Sequence, residues 1–120
     1  MSKIALSEAK SDKIDLPSLH NKLDFTCTIT REIFEEKCGP IFNECLNTVK
    51  KVIAEAKLKP SDFKNNGEIV LVGGSSRIPR IQDMLSELCD GKKLNFRVNP
   101  DEVVAYGATV LAASEKGLLP

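Results

Sequence analysis

The sequence predicts an α/β fold: a β-hairpin and a helix pair, followed by strand, helix, strand and helix. Three observations predict it. Apolar and polar residues alternate on both sides of His20-Asn21-Lys22. Apolar residues then recur at helical spacing from Phe34 to Ala56. Finally a short apolar run, Glu68–Val72, leads straight into Gly73-Gly74-Ser75-Ser76.

Each element follows from local chemistry. Residues 1–11 are short and polar and read as the tail of a helix that starts upstream. From Lys13 the period is two: Ile14 and Leu16, with Leu19 near the turn, then Leu23, Phe25, Cys27 and Ile29 after it. Two such runs around a short turn make an antiparallel hairpin with one buried face. Thr30 can cap the first free N–H groups of the next helix, and Glu32 suits the positive end of its dipole. Phe34, Cys38, Ile41, Phe42, Cys45, Val49, Val52 and Ala56 supply its apolar stripe. Gly39-Pro40 interrupts it, because proline removes a hydrogen bond and kinks a helix. The sequence therefore predicts a bend or short break there, then a second helix to about Lys57. Lys59–Gly67 is polar and predicts a loop, with Asn65-Asn66-Gly67 as its turn.

Glu68–Val72 is rich in β-branched residues and predicts a central strand covered on both faces. Pro79 sits where first-turn prolines are favoured. Ile78, Ile81, Met84, Leu85, Leu88 and Cys89 form one helical stripe that Gly91 ends. Leu94–Val98 predicts a second strand, and strand-helix-strand favours parallel pairing. Asn99 reads as the cap of the last helix, Pro100 as its first residue, and Glu102 as the partner of a capping box. That helix runs to about Glu115 and stops at Gly117.

The totals exclude several function classes. The 120 residues suit one domain with a modest core, and 42% hydrophobic with 28% charged residues is a globular balance. Seventeen acids cancel seventeen bases, so nothing pulls the chain toward nucleic acid or an acidic membrane surface. No apolar run approaches the roughly 20 residues that span a bilayer. No secretion pattern opens the chain. These features point to a soluble cytoplasmic protein. Cys27, Cys38, Cys45 and Cys89 form no C-x-x-C pair and His20 lies far from them, so metal-site spacing is absent. Cys38 and Cys45 stand seven apart on a helical pattern, as reduced core cysteines do.

The chemistry concentrates in Val70–Pro79, VLVGGSSRIP. Glycines let a ligand approach the backbone, and a helix start offers unpaired N–H groups and partial positive charge. The pattern favours an anionic or nucleotide ligand at a strand end. It is neither a Walker loop nor a dinucleotide fingerprint. It also fits a tight βα turn whose serines merely cap. Arg77 can stack its guanidinium on an adenine ring or sit solvated at the surface. Asp101 reads equally as a dipole-matching acid. No nucleophile–base pair is visible, and nothing pairs two carboxylates.

VLVGGSSRIP followed by NPDEVVAYGA resembles the signature region of the seventy-kilodalton heat-shock (DnaK-type) chaperones. Upstream, LDFTCTITREIFEE and KIALSEAKSDKIDLPSL resemble two further stretches of that family, in the right order over nearly the whole chain. The resemblance implies an actin-like ATPase fold of two lobes around a nucleotide cleft, with this chain as most of the second lobe, the C-terminal part of the nucleotide-binding domain. Residues 1–60 would form its outer subdomain, and residues 61–120 its inner subdomain with the glycine turn and last helix. The implied ligand is ATP or ADP, with magnesium bound mainly by absent parts. Lys3 and Ser7 match ribose and base contacts. Gly73, Gly74, Ser75 and Arg77 match the phosphate and adenine contacts, with Ser76 in place of the commoner threonine. Asp101 matches an acid reached through water or the backbone.

Departures mark a divergent member. Ile4 stands where the family has the arginine on adenine's other face, which leaves a one-sided stack with Arg77. The family glutamate one turn before Lys3 would precede Met1. Thr48 replaces a proline, Gly39-Pro40 is unusual, and the loop before Glu68 is longer than typical. The catalytic lysine, the magnesium-linked acids and the peptide-binding domain belong to parts not present, so the chain alone is expected not to turn over ATP. Implied partners are the missing first lobe, nucleotide-exchange factors and, through an uncovered apolar face, further copies of the chain. The other readings are an interaction module that binds chaperone cofactors, and an α/β domain without a ligand.

Overall fold

Hairpin geometry comes first in chain order after one short helix. The computed structural model describes residues 2–65, 67–95 and 99–118. Helix α1 spans Ser2–Glu8. Strands β1 (Ser11–His20) and β2 (Leu23–Thr30) pair antiparallel, with Ile14 opposite Cys27 and Leu16 opposite Phe25. Asn21 and Lys22 both take positive φ (48° and 61°), the two-residue turn whose twist matches the strands. The register slips between Leu16 and His20, where Ser18 is left-handed and its N–H donates to Asp24 Oδ1 at 2.8 Å. The alternation predicts one buried face. Instead Ile14, Cys27 and Ile29 are half-buried, while Leu16 and Phe25 are exposed. Among the described residues α1 and α2 make the main contacts with the hairpin, and Leu16 and Phe25 stay exposed.

The predicted helix pair is a single helix, α2, running from Arg31 to Glu55 through Pro40. Thr30 caps it by accepting the Ile33 N–H at 3.3 Å. The Glu32 carboxyl, hydrogen-bonded to its own backbone N–H and to Thr30, is held below the usual range. Gly39-Pro40 makes no break because proline forfeits one donor only, and packing on either side holds the rod. The inward stripe is Phe34, Cys38, Phe42, Leu46, Val49 and Ile53, at spacings of three and four, with Phe42 and Ile53 buried and the others half-buried. Ile41, Cys45 and Val52 share its helical spacing in the sequence, yet they fall beside it and are exposed.

Within the predicted loop, Asp62–Asn65 forms one helical turn, α3. Asp62 Oδ2 accepts the Lys59 N–H at 2.8 Å across Pro60, half of a capping box inside a stretch that reads as loop. The turn predicted at Asn65–Gly67 involves Asn66, which lies outside the described residues. Helix α4 spans Pro79–Leu88 and lays Ile78, Ile81 and Met84 against Phe34, Cys38, Phe42 and Leu46 of α2. Phe34 and Phe42 meet edge to face with ring centres 6.2 Å apart. Cys89 is buried, which pushes its thiol pKa up, and all four cysteines are free.

The α/β half is thinner than predicted. Among the described residues Glu68–Val72 pairs only through a parallel bridge from Val70 to Asn95, and the Asn95 N–H donates to the Ile69 carbonyl at 2.9 Å. The parallel direction is the one strand-helix-strand favours. Cover on both faces is not found: Leu71 is buried, whereas Val70 and Val72 are 47% and 50% exposed. Among the described residues no further strand lies beside these two segments, so neither has the cover of a sheet interior. Residues 96–98 of the second predicted strand lie outside the described residues.

The last helix, α5, spans Val103–Glu115, starting later than Pro100. Its N-terminus has no side-chain cap, so the predicted capping box does not form. Asn99–Glu102 is instead a turn, in which Asn99 Oδ1 accepts the Asp101 N–H at 3.1 Å. Helices α2, α4 and α5 all end in one motif: a left-handed residue, then an N–H reaching back to the third-last helical carbonyl. The bonds are Leu58 to Ile53, Gly91 to Ser86 and Leu118 to Ala113. The left-handed residues are Lys57, Asp90 and Gly117. Gly91 therefore lies one position beyond the residue that turns α4.

Candidate functional site

Four chain segments meet at one groove of about 940 Å³. Lys3, Ile4, Ser7 and Glu8 come from α1. Gly74, Ser76 and Arg77 come from the turn before α4, Pro79 and Gln82 from α4 itself, and Asn99–Asp101 from the turn before α5.

The glycine turn is built locally. Gly73 adopts φ 84° and ψ 149°, a region open in practice to glycine alone. Gly74–Arg77 then coils into one 3-10 turn. Ser76 closes it: its hydroxyl donates to the Gly73 carbonyl at 2.7 Å and its N–H to the same oxygen at 3.0 Å. The Gly73 N–H donates to the Pro100 carbonyl at 2.7 Å, so that amide is engaged. Gly74 and Ser75 N–H, at the start of the turn, have no acceptor within it. A Cβ on Gly74 would stand 3.0 Å from Asp101 Oδ1, so a larger residue here would press that carboxylate aside by a few tenths of an ångström.

Arg77 is held edge-on. Its Nε and Nη2 donate to Asp101 Oδ2 at 3.2 and 2.9 Å, and Nη2 also donates to Asn99 Oδ1 at 2.9 Å. Both side chains of the ion pair are about half exposed. The pair thus contributes below about 1 kcal/mol to stability, and its effect is orientation of a flat cation beside the groove. On the opposite wall, Lys3 Nζ donates to Ser75 Oγ at 2.7 Å across 72 residues of sequence. The Ser7 hydroxyl, which lines the groove, donates to the Lys3 carbonyl of its own helix at 3.2 Å.

The structure thus brings six of the eight sequence-predicted residues to one region lined by the groove: Lys3, Ser7, Gly74, Ser76, Arg77 and Asp101. Gly73 and Ser75 are not among its lining residues but shape it, Gly73 through its backbone and Ser75 through Lys3. Asn99 and Gln82 join the site without having stood out in the sequence. Asn99 accepts from both Arg77 and the Asp101 N–H, and Gln82 Nε2 donates to the Ser76 carbonyl at 2.8 Å. Before Pro100, Asn99 reads as a helix cap. The Asn-Pro-Asp run is an equally good turn signal, and the sequence carries no other sign of its tie to Arg77. Chemically the groove presents two cations, one flat, with hydroxyls and amide donors, against the acids Glu8 and Asp101. Among the described residues no three His, Cys, Asp or Glu side chains gather as a metal site.

A glycine turn beside a groove with two cations suits an anionic ligand, and sequence comparison supplies the class of protein, a chaperone. A family model described as Hsp70 protein matches residues 1–118. The chain is 47% identical over 115 residues to heat shock cognate 70 kDa protein 3 of Dictyostelium discoideum, covering 96% of this chain and 18% of that one. It is 46% identical to heat shock 70 kDa protein 2 of Paracoccidioides lutzii, over 96% of this chain and 17% of the relative. It is 43% identical to a ribosome-associated molecular chaperone of Zygosaccharomyces rouxii, over 92% and 18%. The chain therefore belongs to the Hsp70 family of chaperones, and it spans less than a fifth of the length of these relatives. Its hairpin and helices fit a piece of an actin-like ATPase. Among the described residues no helix is long and apolar enough to cross a membrane.

Proposed function

We propose that this chain forms the adenosine-side half of a nucleotide site: the second lobe, or C-terminal part, of a chaperone's ATP-binding domain. In this reading residues 1–60 are the lobe's outer subdomain and residues 61–120 its inner one. The observation that carries it is the convergence of α1, the glycine turn and the Asn99–Asp101 turn on one groove. Lys3 and Ser7 would face ribose and base. Gly73, Gly74, Ser75 and Ser76 would meet phosphate, with Lys3 close enough to share the charge. Arg77 would lie flat on one face of adenine while Asp101 and Asn99 hold its edge.

The donor set fits ATP or ADP. An ammonium, a guanidinium face, hydroxyls and backbone amides suit a planar base and an anion, and glycines at 73 and 74 leave the backbone without side chains. Magnesium and the groups that drive hydrolysis would come from other parts of the domain, so this chain turns over no ATP alone. Its partners would be the first lobe of the same domain and nucleotide-exchange factors gripping the outer subdomain. The apolar surface of α5, where Val104, Tyr106 and Leu111 are exposed, favours self-association when that lobe is absent. Four free cysteines suit a reducing, cytoplasmic setting.

The test is a titration of ADP into the isotope-labelled chain. Weak binding is expected, with amide shifts centred on Ser7, Ser75 and Arg77 and lost in Arg77→Ala. Shifts that ignore the Arg77→Ala change, or that fall on the hairpin, would discard the assignment. Phosphate release from ATP abolished by Arg77→Ala would discard the claim of inactivity.

A further inference from the structure

We infer that Arg31 is a positioning residue for the groove, holding the α1 wall in place from the first turn of α2. The inference rests on the nucleotide reading only where it concerns ligand affinity. No glycine ends helix α1. Its last carbonyls need donors from elsewhere. Arg31 supplies one to α1 itself and two to the chain just past it: Nε donates to the Leu6 carbonyl at 2.8 Å, Nη2 to the Ala9 carbonyl at 2.9 Å, and its backbone N–H to the Lys10 carbonyl at 2.8 Å. The charge also sits at the negative end of the α1 dipole. The side chain is part-buried beside Leu6, which is 2% exposed. Lys3 and Ser7, one turn away on the same short helix, reach the groove only if α1 stays docked. A guanidinium fork is needed, because a lysine can address one carbonyl at a time.

The experiment is amide hydrogen exchange by NMR on the chain, on Arg31→Ala and Arg31→Lys, and on Arg80→Ala as an exposed control. In Arg31→Ala the Ala9 amide, bonded to the Ala5 carbonyl at 2.7 Å, is expected to exchange at least roughly fivefold faster. The Met84 and Leu85 amides of α4 should be unchanged, and the Ser75 signal should move as it does in Lys3→Met. Arg31→Lys should recover part of the protection, and Arg80→Ala should change nothing. With ADP, affinity should fall in Arg31→Ala, and adding Lys3→Met should cost little more.

Unchanged Ala9 exchange with an unmoved Ser75 signal would overturn the inference. So would an equal loss of protection at Met84, which would make Arg31 a general stabiliser. If Arg31→Ala does not fold, Arg31→Lys decides by the same signals. Failure of the unmodified chain to bind ADP refutes the nucleotide reading, while the exchange data still judge whether Arg31 docks α1.

Discussion

Helices α4 and α5 are both rich in apolar residues, yet they live in different surroundings. Helix α4 is amphipathic and buries Met84, with Ile78 and Cys89 at its ends, against α2. Helix α5 is the more apolar of the two and buries no residue: Val104 is 69% exposed and Tyr106 71%. A helix that is hydrophobic all round belongs inside something. The difference teaches that α4 finds its partner within this chain, while α5 carries a surface matched to something else. The dimensions agree. The radius of gyration is 19.2 Å, against about 14 Å for a compact domain of this length. The accessible surface is 9121 Å², against roughly 6,400 Å² for a folded monomer of this mass.

Truncation on both helices is the strongest way to break that comparison. Met84→Ala should lose about 2–5 kcal/mol by leaving a cavity between α2 and α4, whereas Leu111→Ala should stay within about 0.5 kcal/mol. Urea unfolding measures both, and equal losses would mean α5 is packed after all. Next in size is Gly73→Ala. Forcing a Cβ into φ 84° should cost about 1–3 kcal/mol, read in the same unfolding curves, and should disturb the Ser76 amide before any signal in the hairpin.

A smaller effect sharpens the contrast between stability and orientation. Asp101→Asn should change stability by less than about 1 kcal/mol, because the ion pair is half exposed. It should nevertheless broaden or shift the Arg77 Nε signal, and a large fall in melting temperature would mean the pair is structural. The smallest effect is pH-dependent and confined to the hairpin. The Thr26 hydroxyl at 2.6 Å, and then Lys13, hold the Asp15 carboxyl below its ordinary value of 3.8. A depressed folded pKa contributes stability above the unfolded value, and that contribution fades as pH falls through the folded one. Acid titration should thus loosen the β1–β2 pairing near Asp15 below about pH 4, with no matching change at Met84. Asp15 is fully exposed, so the effect should be slight.

The sequence reveals elements better than their surroundings. The hairpin, its turn, the α2 cap at Thr30 and the α4 stripe are legible because they depend on neighbours within four residues. The stop of α5 at Gly117 is legible too. The stop of α2 near Lys57 is legible where its stripe gives way to a polar loop, but the left-handed turns on Lys57 and Asp90 are not, because a left-handed lysine or aspartate carries no glycine's signal. Continuity through Pro40 is hidden since one lost hydrogen bond is outweighed by packing on both sides. Burial is misjudged at Val70, Val72, Leu16 and Phe25, whose partners no local pattern can supply. In the groove, Arg77 and the glycines stand out by residue type. The Arg77–Asn99 tie and the anchoring by Arg31 join residues more than 20 positions apart, where spacing says nothing.

The parallel bridge between Val70 and Asn95 has a consequence for how the chain meets its surroundings. One of the two segments it ties runs directly into Gly73. A partner that docks along that segment would stiffen the loop that frames the groove. Thermodynamic reciprocity then requires that a ligand lodged there favour the docking by the same factor, so titrations begun from either side should return one coupling constant.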